Sequence, residues 1–200
     1  MPDQITHPAN FTYLLLDAAR ILEQLETAQE LQPAFICLYT GDSAKLLLSV
    51  APYLFNYQKD SAFEKWYAQK CWGNSAGFFV ETVVTMEELH KHFRKFLLVK
   101  TEQGKELYFR FYDPRVLRVF LPTCDTAQLK DFFGPIKHLI CEDEDTAFAT
   151  RYSFDGIQLM KEKIDALFFM NTNELPNVKI IQAENSTDAQ KPKSPRKFIY

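Results

Sequence analysis

Residues Phe93 to Pro122 read FRKFLLVKTEQGKELYFRFYDPRVLRVFLP, and the fold class turns on how this stretch is divided. It reads as the end of a helix, two strands joined at Glu102-Gln103-Gly104, and a second helix opened by Asp113-Pro114. Side chains alternate along a strand. Leu107, Phe109 and Phe111 therefore fall on a core face, and Tyr108, Arg110 and Tyr112 on the other. An aspartate caps helix amides through its carboxylate, and proline suits the first helical position, where an amide would have no partner. The expectation is a strand that passes directly into a helix.

Upstream, Thr12 to Asp17 (TYLLLD) reads as a buried strand, and Ile21, Leu22, Leu25 and Ala28 recur at helical spacing. Pro33 ends that helix and Ala34 to Tyr39 supplies a second strand. This order predicts a parallel pair joined by a crossover. Gly41 to Val50 fits either a helix or a strand, and Tyr53 to Tyr57 reads as a strand. Ser61 with Glu64, and Thr85 with Glu88, have the spacing of a capping box. Each opens a helix with an apolar stripe: Phe63, Trp66 and Tyr67 in the first, and Met86, Leu89, Phe93, Phe96 and Leu97 in the second. The opposite face of the second is basic: His90, Lys91, Arg94 and Lys95. Between these helices, Trp72 to Ser75 reads as a loop and Ala76 to Thr82 as a strand.

Downstream, Asp125 or Thr126 can cap a short helix carrying Leu129, Phe132 and Phe133, which stops at Gly134-Pro135. Ile136 to Cys141 is a strand, followed by the acidic run Glu142 to Asp145. Phe148 to Phe154 and Ile157 to Ile164 flank Asp155-Gly156, a dipeptide that favours a tight hairpin, although IQLMKEKI fits a helix equally well. The whole predicts an α/β fold, with a mixed sheet flanked by helices over residues 10–142 and a small hairpin or helical appendage over 143–183. Residues 184–200 are too polar to offset their ordering entropy and predict a disordered tail.

Composition narrows the function. The chain has 200 residues, 46% hydrophobic and 14% aromatic, enough for a sizeable core with some aromatics left at the surface. Its net charge of -3 gives no general attraction to nucleic acid. Cys37, Cys71, Cys124 and Cys141 are widely spaced, which suits reduced thiols more than a disulfide framework or a zinc knuckle. The first ten residues lack a signal-peptide pattern, and no apolar run approaches the roughly 20 residues that span a bilayer. A cytoplasmic protein that binds neither membrane nor nucleic acid is expected.

No catalytic, cofactor or metal signature emerges. His90 and His92 are two apart and point to different sides of a helix, and the chain has neither HExxH nor GxSxG. Gly73 to Gly77 precedes a strand and lacks a P-loop lysine. The run Glu142 to Asp145 lacks the alternating ligands and glycine of an EF-hand and reads as a solvated charged loop. Arg110, Asp113 and Arg115 gather at a strand end, where α/β ligand sites form. Capping and ion pairing give each of them an ordinary structural role. The alternatives are a metal-dependent hydrolase built on Arg110 and Asp113, and a nucleic-acid module using the His90 to Lys95 face.

Pro52-Tyr53-Leu54, Trp72-Gly73, Phe93 to Leu97, the string Arg110, Phe111, Tyr112, Asp113, Pro114, Arg115 through Leu121 and Pro122, and Phe133-Gly134-Pro135-Ile136 carry a resemblance. From about Tyr13 to Cys141 the chain resembles the type VI secretion effector-adaptor, or effector-chaperone, family, first catalogued as a domain of unknown function. The resemblance implies a bacterial, non-enzymatic protein that binds a cognate effector in the cytoplasm and promotes its loading onto the secretion spike protein. Ala18 stands where many relatives have glycine, and the region after Asp145 is shorter than in many. The shared motif reads as scaffold and not as a set of contact residues.

Overall fold

Residues Tyr13 to Asp17 are buried without interruption, a pattern that suits an interior strand covered on both faces. The structure, a computed structural model, describes residues 10–41, 47–100 and 104–170. Its strands are β1 (Phe11–Asp17), β2 (Phe35–Cys37), β3 (Pro52–Asn56), β4 (Gly77–Thr82), β5 (Leu98–Lys100), β6 (Glu106–Tyr108), β7 (Ile136–Glu142), β8 (Phe148–Phe154) and β9 (Leu159–Asp165). Its helices are α1 (Leu25–Leu31), α2 (Ala62–Lys70), α3 (Met86–Arg94), α4 (Pro114–Phe120), α5 (Thr126–Phe133) and α6 (Ala166–Phe169), with short 3-10 turns at Ala18–Arg20, Leu22–Gln24, Leu48–Val50 and Leu121–Thr123.

Seven strands form one sheet in the order β2-β3-β1-β4-β7-β8-β9, and β5 with β6 forms a separate ribbon. The α/β class with helices flanking the sheet is as expected, and every strand pairing in the sheet is antiparallel. The expected parallel pair is corrected: β1 and β2 run the same way but never pair, because β3 lies antiparallel between them. A strand–helix–strand order predicts a crossover to the neighbouring position, whereas the next strand turns back and takes that place.

The register sorts the core. Phe55, Leu14, Phe79 and Ile140 stand opposite one another across four strands, and Leu54, Leu15, Phe78 and Cys141 do the same on the other face. Helix α2 covers the first face: Phe63 meets Phe55 at 5.2 Å and Tyr67 meets Phe79 at 5.2 Å between ring centroids. On the second face Phe93 of α3 meets Phe78 at 6.5 Å and Phe111 at 5.4 Å. Phe132 of α5 packs at 5.7 Å from Phe111 and 5.4 Å from Phe120 of α4. Helices on both faces explain why β1 and β4 carry unbroken apolar runs.

Other readings change or are decided. The strand ends at Tyr108, and Phe109 to Tyr112 turn before α4 begins, closed by the Asp113 amide donating to the Arg110 carbonyl at 3.1 Å. The turn buries both Phe111 and Tyr112, which strict alternation would have placed on opposite faces. Of the two readings open for IQLMKEKI the hairpin holds, with its second strand starting at Leu159, and the hairpin of β8 and β9 is laid against β7 as the outer edge of the main sheet, in the segment expected to be a small hairpin or helical appendage. Glu142 belongs to β7 and is buried, so the acidic run is divided: Glu142 closes the strand, and Asp143 to Asp145 form the loop beyond it, with Glu144 exposed. Glu102, Gln103 and the expected tail over 184–200 lie outside the described residues. Among those described, no helix is long and apolar enough to cross a membrane.

Candidate functional site

Four charged side chains meet where β1 ends. Asp17, its last residue, is fully buried. Its Oδ1 accepts from the Ala19 amide at 3.0 Å, capping the 3-10 turn that follows, and its Oδ2 pairs with the Arg110 guanidinium. Asp113 caps α4, accepting the Arg115 amide and Nε at 3.0 Å on Oδ1 and the Arg115 Nη2 at 2.7 Å on Oδ2. Arg110 lies 4.0 Å from Asp113, so the charges alternate along one chain of contacts. Pro114 takes the first helical turn and is buried. The Tyr112 hydroxyl lies 3.1 Å from that of Tyr39, and the Arg110 guanidinium sits 5.9 Å from the Tyr112 ring centroid.

Burial acts differently on the two carboxyls. Desolvation pushes Asp17 above the ordinary carboxylate range despite Arg110 beside it. At Asp113 burial pulls the same way, but the hydrogen bonds and charge of Arg115 together outweigh it and hold the group below the ordinary range. Both carboxylates are engaged by arginine, and the cluster ties the end of the central strand to the start of α4.

Trp72 and Gly73 build a second cluster. The Trp72 indole donates to the Thr146 carbonyl at 2.8 Å. Gly73 has a positive φ of 82°, which favours glycine, and its amide donates to Glu142 Oε2 at 2.7 Å. The Ser75 amide and hydroxyl donate to Glu142 Oε1 at 2.7 and 2.9 Å. Burial pushes the Glu142 carboxyl upward against these donors. Sequence reasoning missed Glu142 as a fixed residue. The available signal was parity: it lies two residues beyond Ile140 and shares its inward face. Arg118 Nη1 donates to the Glu142 carbonyl at 2.7 Å, so α4 joins the two clusters.

Phe133-Gly134-Pro135 closes α5. Gly134 has φ 45°, and a Cβ there would sit 2.5 Å from the His92 ring. His92 Nε2 donates to the Phe132 carbonyl at 2.8 Å, and the Pro135 carbonyl accepts from Thr82 Oγ1 at 2.8 Å. Leu121 is buried, whereas Pro122 is exposed. The three motif strings thus occupy separate positions in one scaffold: the β1–α4 junction, the loop after α2 and the end of α5.

The described residues hold no group of three or more His, Cys, Asp or Glu side chains able to bind a metal. Burial pushes the Cys71, Cys124 and Cys141 thiols up to about 12, so they stay protonated near neutral pH. His90 bonds to the Cys37 carbonyl and His92 to that of Phe132, which separates the two imidazoles. No curated protein and no solved structure matches the chain. A family model does match, over residues 12–131, and by it the chain belongs to the DUF4123 family, a domain of unknown function.

Proposed function

We propose that this protein is a non-enzymatic type VI secretion adaptor. It binds a cognate effector in the bacterial cytoplasm and promotes its loading onto the spike protein. The observation that supports the reading most is the family match over residues 12–131, which spans the Arg110 to Pro122 string that carries the resemblance. The physical role of that string supports it too. Asp113, Pro114 and Leu121 are buried and tie elements together, so the motif maintains a shape and leaves partner recognition to the exposed surface.

The test is genetic. Deleting the coding sequence abolishes delivery of the cognate effector, and expressing this chain restores it. Unchanged delivery in the deletion strain contradicts the proposal, as does dependence on an added metal for any activity of the purified chain.

A further inference from the structure

The C-terminal end of α3 leads through a tight turn into the β5–β6 ribbon, and exposed cations on the helix are followed closely in sequence by exposed apolar side chains on the ribbon. Lys91, Arg94 and Lys95 are exposed at spacings of three and four, which places them on one side of the helix. No salt bridge reaches any of the three among the described residues. The chain continues past Arg94 in tight turns, with the Phe96 amide donating to the Phe93 carbonyl at 3.0 Å, so Leu98 emerges three residues beyond Lys95. Leu98 is 46% exposed and stands directly opposite Tyr108, which is 51% exposed. The Tyr108 ring in turn lies 5.6 Å from that of Tyr39, at the end of the segment that follows β2. Among the described residues the two ribbon strands pair only with each other.

A helix C-terminus favours cations in its last turn, which accounts for part of the basic row. It does not account for two bulky apolar side chains left in solvent on the ribbon that follows. Large exposed aromatics and aliphatics bordered by charge are the composition of a recognition patch, with the apolar residues as anchors and the charges as rim. The row is positive on a protein whose net charge is -3, so the complementary ligand is acidic.

We propose that this surface holds an acidic protein segment that presents an apolar side chain to Leu98 and Tyr108 and its carboxylates to Lys91, Arg94 and Lys95. The inference rests on the adaptor reading and names the chemistry of the segment that the adaptor grips. A nucleic acid fits less well, because only three cations line up and phosphate-backbone affinity grows with the number of phosphates neutralised.

The experiment uses the full chain and a fluorescein-labelled peptide of alternating Glu and Leu, followed by fluorescence anisotropy. An alternating Lys and Leu peptide and a single-stranded RNA serve as comparison probes. Binding of the acidic peptide, weakened about tenfold in K91E/R94E/K95E and again in L98S/Y108S, is the expected result, on the scale of a few exposed ion pairs. Thermal melting of both variants is measured alongside; all five positions are exposed, so the fold is kept. No binding of the acidic peptide, equal binding by the charge-reversed variant, or tighter binding of the RNA overturns the inference. Capture of the cognate effector from lysate separates this from the adaptor reading. If K91E/R94E/K95E captures as much effector as the unmodified chain, the surface is wrong and the adaptor stands. If neither captures any, the adaptor reading itself fails.

Discussion

Asp113 receives three hydrogen bonds from one neighbour, Arg115, and through them sets the start of α4. Replacing Asp113 with Ala removes the cap and costs about 0.5–2 kcal/mol of stability, read as a lower urea midpoint. An unchanged midpoint with abolished effector delivery would mean that Asp113 acts on a partner directly. Asp17 presents the opposite balance, since its carboxylate is fully buried while Arg110 keeps 46% of its side chain in solvent. Removing Arg110 alone strands a buried charge, whereas removing both partners does not. R110M therefore destabilises by about 1–3 kcal/mol, and D17N/R110M by clearly less than the sum of the single changes. Additive losses in that cycle would contradict a direct coupling. The Arg110 to Arg115 cluster was legible because RFYDPR names its own cap and its own cations. Its partner Asp17 was not, because nothing local links residues 17 and 110; only the sheet and the turn at Phe109 to Tyr112 bring them together.

At the scale of elements, α3 and α5 are joined by His92. Burial holds its imidazole below the ordinary value of 6.5, although the Phe132 carbonyl opposes the shift. The folded state thus binds this proton less readily than the unfolded chain. The stability contributed is complete above about pH 6.5 and is lost as pH falls from there through the folded value. Asp17 and Glu142 act in the other direction, because a carboxyl raised by burial favours the folded state as pH falls through its own folded value. The difference between proteins isolates His92: unfolding free energy measured by urea between about pH 7 and 5 should decline less for H92Q than for the unmodified chain. Parallel curves would show that His92 does not titrate on unfolding. The same contact predicts that G134A is destabilising by more than about 1 kcal/mol, since its Cβ would press on the His92 ring at a positive φ. Most helix starts were readable from caps: Thr85 with Glu88 forms the predicted box. Ser61 caps as predicted, but Glu64 turns instead to the Tyr57 hydroxyl and the Asp60 amide. Strand neighbours were less readable. Local pattern reports which residues are extended and which face they share, but the choice between pairing β2 with β1 or with β3 is made by tertiary packing.

For the whole molecule, a seven-stranded sheet with helices on both faces takes most of the described aromatics into the core or against it and leaves Tyr108 exposed. Such a scaffold suits a protein whose function lies on its surface, and the family motif within it preserves shape. That division is why the sequence could point to a family through RFYDPRVLRVFLP and yet name no contact residue: the recognisable residues are those the fold needs. The chain's own binding claim is tested most directly by tagging it, recovering it from the cells that encode it, and identifying by mass spectrometry what remains bound at about 0.5 M salt, where exposed charges are screened within a few ångströms. The account predicts one large effector-like protein at near-equal stoichiometry, with or without the spike protein. Recovery of the chain alone, or with nucleic acid that salt removes, would contradict it.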